Sequence, residues 1–236
     1  MDVITTGGGG LKVIAVHGIQ GTRSAWGPIS EYLGDRVHLI LPNLRGRGDA
    51  KRGRGPEDFG LEKFAEDLSE VIDAFVGDEP FVLAGWSMGV SICLQYLSSN
   101  SNRWPLGLIL ISGTPMLDKA SWFREQGTQL FREVAEREVR LGLLEAADRK
   151  AVAWTWKAIC KSNQLELLSS IDLPALIING KQDTDSPWSH AQLLAAGLPN
   201  SKLVGLDNVG HTVLKDASID VAREMNKFLK VLVNKE

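Results

Sequence analysis

The sequence predicts a doubly wound, mostly parallel α/β sheet carrying a small helical cap. Three observations point there. Short apolar runs recur along the chain, amphipathic helical stripes separate them, and one long stretch holds helical patterns alone. A chain of 236 residues can bury a large core. Folds of this class often run to about 250 residues as one domain.

The apolar runs are Leu11 to Val16, Val37 to Leu41, Phe81 to Ala84, Leu106 to Ile111, Ala175 to Ile178 and Lys202 to Gly205. Most are apolar throughout rather than alternating, as strands covered on both faces must be. Ten residues precede Leu11, room for one short strand at most. Gly7 to Gly10 is followed by a strand rather than a helix, so it reads as a turn and not as a phosphate loop. Between the runs, Leu61, Phe64, Ala65, Leu68, Val71, Ile72 and Phe75 form a stripe at spacings of three and four. Val221, Met225, Phe228, Leu229 and Leu232 form another that closes the chain. From Met116 to Ser170 there is no convincing strand. This insertion is read either as helices packed on the outside or as a lid over the active face. It divides a core of residues 1–115 and 171–236 from a segment of residues 116–170.

Charge and composition exclude several function classes. Lys and Arg number 26 against 29 Asp and Glu, a net charge of −3, which argues against nucleic acid as the main partner. The basic loop with Arg45, Arg47, Lys51, Arg52 and Arg54 is therefore not read as an RNA-binding segment. No apolar stretch approaches the ~20 residues that span a bilayer, and the N-terminus lacks a signal-peptide pattern. A cytoplasmic protein with no membrane partner is expected. Cys93 and Cys160 cannot form a disulfide framework and read as two buried thiols in a reducing compartment.

The chemistry centres on Gly85-Trp86-Ser87-Met88-Gly89, a G-x-S-x-G pattern placed between an apolar run and an amphipathic stretch. A serine on a sharp strand-to-helix turn adopts strained backbone angles, and flanking glycines keep Cβ atoms out of the crowded space. Ser87 needs an adjacent base to become nucleophilic. Of the four histidines, His38 lies inside an apolar strand and reads as structural, and His190 begins an outer helix and reads as solvated. His17 and His211 both follow strands on the carboxyl side. The chain order nucleophile, acid, base selects His211. For the acid, Asp183 turns out of the carboxyl end of the run Ala175 to Ile178; Asp185 is the serious rival and Asp207 the third candidate. Backbone N–H groups of Ile19 and Met88 are the expected oxyanion donors, leaving His17 to brace its loop. Trp86 and Trp188, with Trp122, Trp154 and Trp156 of the insertion, are candidates to line an apolar substrate pocket, core packing being the competing reading for each. No cofactor and no metal are implied.

These pieces, taken in order, resemble the α/β-hydrolase superfamily. The matching residues are His17-Gly18 with Trp26, Asn43-Leu44-Arg45-Gly46-Arg47-Gly48, Gly85 to Gly89, Gly180-Lys181-Gln182-Asp183 with Pro187, and Gly210-His211. The resemblance implies a Ser87–Asp183–His211 triad and a helical cap formed by the insertion. The elbow looks closest to that of small esterases acting on carrier-protein methyl esters. The expected substrate is thus a small-molecule or carrier-bound acyl compound, cleaved as a carboxylic ester. Thioester, lactone or carbon–carbon cleavage on the same triad is the alternative, and a non-catalytic ligand binder the further one. The sequence departs from the family in two places: a truncated N-terminal strand pair, and Asn43 where Asp is common.

Overall fold

The computed structural model describes residues 1–99, 103–143 and 145–234. Among these residues one sheet has seven strands: β1 (Asp2–Thr6), β2 (Lys12–Val16), β3 (His38–Asn43), β4 (Phe81–Trp86), β5 (Gly107–Ile111), β6 (Ala175–Gly180) and β7 (Ser201–Leu206). Their spatial order is β1-β3-β2-β4-β5-β6-β7. β1 pairs antiparallel with β3, and every other pair is parallel. The helices are α1 (Gly27–Leu33), α2 (Leu61–Phe75), α3 (Met88–Ser98), α4 (Gly127–Leu141), α5 (Arg149–Ile159), α6 (Leu165–Leu168), α7 (Trp188–Gly197), α8 (Val213–Asp216) and α9 (Ser218–Val233).

Alternation along the strands explains why the central runs are apolar throughout. Phe81 and Leu83 of β4 face a cluster shared with α2 and α3, whereas Val82, Ala84 and Trp86 face the cluster of α1, α8 and α9. Each central strand is therefore buried on both sides. β4 runs two residues beyond its apolar stretch, because Gly85 and Trp86 continue the ladder opposite Leu110 and Ile111. Backbone pairing carries the strand past the point where composition stops signalling it. β7, at the edge, is only half-buried along most of its length. The N-terminal region supplies a single five-residue strand, β1.

Between β5 and β6 lie a 3₁₀ turn (Leu117–Lys119) and α4, α5 and α6. Leu130, Val134, Val152 and Ile159 from this insertion pack into the same cluster as α2 and α3, so the segment has no separate core of its own. It spans Leu144, which lies outside the described residues. Cys93 is fully buried, and burial pushes its thiol up to about 12. Cys160 is half-buried rather than buried, because it closes α5 near the surface. No helix among the described residues is long and apolar enough to cross a membrane.

β1 is tied down through Asp2. Its carboxylate accepts from the Asn43 side-chain amide (2.8 Å), the Asp49 backbone amide (2.7 Å) and the Arg23 guanidinium. Burial raises the Asp2 pKa, and these three donors more than offset it, leaving the group lowered. Asn43 serves here as donor and acceptor at once, since its Oδ1 takes the Arg23 N–H (2.8 Å). A carboxylate at position 43 could not donate to Asp2. Asn43→Asp is expected to cost about 2 kcal/mol at pH 7. The new pair holds a proton more tightly folded than unfolded, so the penalty shrinks as pH falls. Urea unfolding of both chains at pH 7 and pH 5 checks the magnitude and the sign.

Candidate active site

Ser87 stands between β4 and α3 with φ 57° and ψ −119°, a left-handed backbone that L-residues rarely adopt. Close approach on both sides holds it there. A Cβ at Gly85 would lie 2.4 Å from the Gly89 carbonyl carbon, and one at Gly89 would lie 2.4 Å from the Val16 carbonyl oxygen. Only hydrogens fit. The first turn of α3 can therefore sit directly on the end of β2, and the Ser87 amide still donates to Ile111 (2.9 Å), in step with the β4–β5 ladder.

Two loops from the far half of the sheet reach this turn. The loop after β6 carries Asp183, and the loop after β7 carries His211; the Gln182 amide donates to the Val209 carbonyl (3.0 Å), joining the two. His211 Nδ1 lies 2.9 and 3.1 Å from the two Asp183 carboxylate oxygens, and Nε2 lies 3.0 Å from Ser87 Oγ. With Nδ1–H donating to the carboxylate, Nε2 is left to accept the serine proton. Asp183 Oδ1 also accepts the amides of Asp185 (2.9 Å) and Ser186 (2.8 Å), which fixes the carboxylate's orientation. The Trp86 indole N–H donates to the His211 carbonyl (3.2 Å), and the two rings pack at 5.6 Å. The line of three is enclosed: Ser87 is 1% exposed and His211 5%.

The other acid candidates are placed elsewhere. Asp185 pairs with Arg137 (3.0 Å) and Arg140 (2.9 Å), and Asp207 pairs with Lys181 (2.8 Å) at the surface. Burial raises the Asp185 pKa, but Arg137, His211 and Arg140 together hold it below the ordinary carboxylate value. His17 is buried on the other side of the serine, where its Nδ1–H donates to the Gly18 carbonyl (2.9 Å) and its Nε2 accepts the Leu44 amide (3.1 Å). Both ring nitrogens are thereby spent on joining two loops. His190 corrects a sequence expectation. It is 8% exposed rather than solvated, because it shares the inner face of α7 with Ala191 and Leu194. Burial lowers its pKa, against the pull of Asp183 and Asp118.

The loop after β2 crosses the serine turn closely. A Cβ at Gly18 would lie 3.1 Å from Ser87 Cβ and 3.2 Å from the Trp86 ring, so glycine lets the loop after β2 pass close over Ser87. Met88 opens α3, where the first amides have no intrahelical partner. The Ile19 carbonyl is held by the buried guanidinium of Arg47, whose second arm reaches the Arg45 carbonyl (2.8 Å) and Thr155 of α5 (3.4 Å). Burial pushes Arg47 down to about 9, against the attraction of Asp67 and Asp148. Nothing in the sequence marked Arg47 apart from its neighbours. Arg45 pairs with Asp67 in a half-buried setting and Lys51 with Glu70 at the surface, so these two charges of the basic loop are met within the chain.

The tryptophans separate by contact. Trp86 and Thr212, the residues beside Ser87 and His211 in sequence, wall an apolar cleft of about 60 Å³ with Gly21, Ala25, Leu141 and Leu214. Trp122 donates to the Asp185 carbonyl (3.0 Å) and packs on Trp156 at 5.7 Å. Trp154 rests on Phe59 at 5.8 Å, with the Lys150 ammonium 4.5 Å from its ring centre. Trp188 packs near Gly205 of β7. Among the described residues, no group of three His, Cys, Asp or Glu side chains is arranged to hold a metal ion.

Compared with known proteins, residues 13–224 match the profile of the alpha/beta hydrolase family. The chain belongs to that family. This alpha/beta hydrolase is similar to the pimeloyl-(acyl-carrier protein) methyl ester esterase of Nitrosomonas europaea, at 23% identity over 88% of this chain and 91% of that one. Among solved structures, the esterase EaEST from Exiguobacterium antarcticum superposes with a TM-score of 0.82 at 19% identity, covering 97% of this chain and 94% of that one. The enol-lactonase from Burkholderia xenovorans LB400 does so with a TM-score of 0.79 at 18% identity, covering 97% and 95%. At these identities the two structures speak for a shared fold.

One pH effect follows from the His17 setting. Burial and the Arg47 charge lower its pKa from 6.5 to about 3, with the Gly18 bond only partly opposing them. Below pH 6.5 the unfolded chain takes up a proton here that the folded chain does not, so stability is lost as pH falls from 6.5 toward 3. The slope for one such proton approaches about 1.4 kcal/mol per pH unit. His17→Gln removes this contribution, so its unfolding free energy should fall less steeply than that of the native chain between pH 6.5 and 4. Equal slopes in urea titrations would contradict a neutral buried imidazole.

Proposed function

We propose that this alpha/beta hydrolase cleaves a carboxylic ester of a small or medium apolar substrate through an acyl-enzyme on Ser87. The observation that carries the reading is the unbroken line from Asp183 through His211 to Ser87 Oγ, with hydrogen bonds of 2.9 and 3.0 Å. Such a line converts a weakly nucleophilic hydroxyl into a reactive one at neutral pH.

In the first half-reaction Ser87 Oγ attacks the ester carbonyl carbon while its proton passes to His211 Nε2. The carbonyl π pair moves onto oxygen, where the Ile19 and Met88 amides receive the negative charge. Asp183 stabilises the imidazolium and keeps Nδ1 protonated. The tetrahedral intermediate collapses, the alkoxide leaves, and His211 returns the proton to it as an alcohol. Water then enters, gives a proton to His211 and attacks the acyl-enzyme, releasing the carboxylic acid and regenerating Ser87. Preorganised donors matter most here, each oxyanion amide being worth about 3 kcal/mol.

Trp86 and Thr212, next to Ser87 and His211 in sequence, wall an apolar cleft whose size suits a small hydrocarbon group. The Nitrosomonas relative is a methyl ester esterase, and the alcohol of a methyl ester is of that size. The same attack on a carbonyl would open a thioester or a lactone, so turnover is to be compared across matched ester, thioester and lactone substrates sharing one acyl group.

Two outcomes test the mechanism. Ser87→Ala should abolish both the burst of p-nitrophenol from a short-chain ester and labelling by a fluorophosphonate, while the fold persists. Unchanged turnover in that variant would rule the mechanism out. Asp183→Asn, which favours the wrong imidazole tautomer, should lower kcat by about 10⁴; steady-state kinetics at pH 7 measures it.

A further inference from the structure

The helical insertion grips the loop after β2 at four points. Gln20 Nε2 donates to the Val134 carbonyl of α4 (2.8 Å), and Gln20 Oε1 accepts from Arg137 Nη1 (2.6 Å). The Ala147 amide donates to the Gln20 carbonyl (2.9 Å), and Thr22 Oγ1 donates to Glu145 (2.8 Å). All four converge on residues immediately after Ile19.

Arg137 also reaches the opposite loop. Its second arm, Nη2, donates to Asp185 Oδ2 (3.0 Å), and the Asp185 amide in turn donates to Asp183 Oδ1 (2.9 Å). The other Asp185 oxygen takes Arg140 (2.9 Å), and the Asp185 carbonyl takes the Trp122 indole (3.0 Å). Arg137 itself is 4% exposed and lies over the Phe123 ring at 5.4 Å. A planar fork buried in this way has one geometry that satisfies both partners. A buried ion pair is a weak source of net stability, because desolvation offsets most of its attraction. Its directionality is the larger consequence.

We propose that Arg137 is a positioning residue. By bonding Gln20 with one arm and Asp185 with the other, it sets the Ile19 amide and the Asp183 carboxylate in one frame around Ser87. On this view the insertion braces the oxyanion and acid loops. The inference rests on the roles given to Ser87, Asp183 and Ile19 under the proposed function. It adds that their alignment is maintained from α4, a helix that contributes none of the reacting groups.

Arg137→Met, Arg137→Lys, Gln20→Met and the double variant Arg137→Met/Asp185→Asn test it, each assayed with p-nitrophenyl acetate and by the rate of fluorophosphonate labelling. Misaligned donors act in the transition state, so kcat should fall about 10- to 100-fold in Arg137→Met. KM should stay within about twofold, and labelling should slow in parallel. Lysine keeps the charge on a single nitrogen and lacks the planar fork, so Arg137→Lys should recover only part of the rate. The double variant leaves no stranded carboxylate and should regain thermal stability while kcat stays low, a result that a purely stabilising arginine would not produce. Wild-type kcat in the refolded double variant would overturn the proposal, as would a loss confined to KM. Should Arg137→Met fail to fold, the double variant and Gln20→Met decide the question on the same criteria. A wild type that fluorophosphonate does not label would sink the Ser87 reading and the brace with it. A wild type that labels, with folded variants labelling equally fast, would sink the brace alone.

Discussion

The left-handed turn at Ser87 is the constraint on which the site depends. A strand and a helix meet there with one residue between them, and that residue sits in backbone space unfavourable for any side chain. The strain is held by a parallel ladder on one side and by backbone contact with β2 on the other. Both supports require glycine at positions 85 and 89, since a Cβ at either would overlap main-chain atoms that cannot move aside. The hydroxyl is thereby presented above the carboxyl ends of the strands, where the loops after β2, β6 and β7 also arrive. The rest of the architecture brings those three loops to it.

Two buried guanidinium groups flank the loop after β2. Arg47 holds the Ile19 carbonyl from the side of α5, and Arg137 holds the Gln20 side chain from the side of α4. Each is buried against an aromatic ring, Phe64 and Phe123 respectively. Cations are costly to bury, and each arm of the fork that finds an acceptor lowers the cost. Here the acceptors come from several elements: Ile19 and Gln20 of the loop after β2, Arg45 of the loop after β3, Thr155 of α5 and Asp185 of the loop after β6. The insertion and the sheet are thus one electrostatic unit as well as one hydrophobic one.

Enclosure has a chemical consequence. Around Ser87 and His211 little water competes for hydrogen bonds, so the fixed dipoles of nearby amides act at greater strength than they would in solvent. The same enclosure keeps His17 neutral and committed to joining the Gly18 and Leu44 backbones. Two histidines at equivalent strand ends therefore come to opposite uses. One is backed by a carboxylate and faces a hydroxyl; the other is backed by a carbonyl, beside a buried cation.

Sequence alone determined the alternation of strands and helices, the place of the elbow, and the choice of His211 by chain order. Each of these is carried by local pattern: unbroken apolar runs, a glycine-flanked serine, a loop histidine after the last strand. Sequence put Asp183 ahead of Asp185, and the tertiary structure separated the two. Asp183 and Asp185 are two residues apart with the same chemistry, and only the direction of the turn sends one to His211 and the other to Arg137. It likewise decided that His190 is buried, because α7 lays that face on the sheet. The brace through Arg137 and Gln20 was also beyond local reading, since 117 positions separate residues whose atoms lie 2.6 Å apart. Contacts over such separations are set by how layers pack, a property of the whole fold that no window of sequence contains.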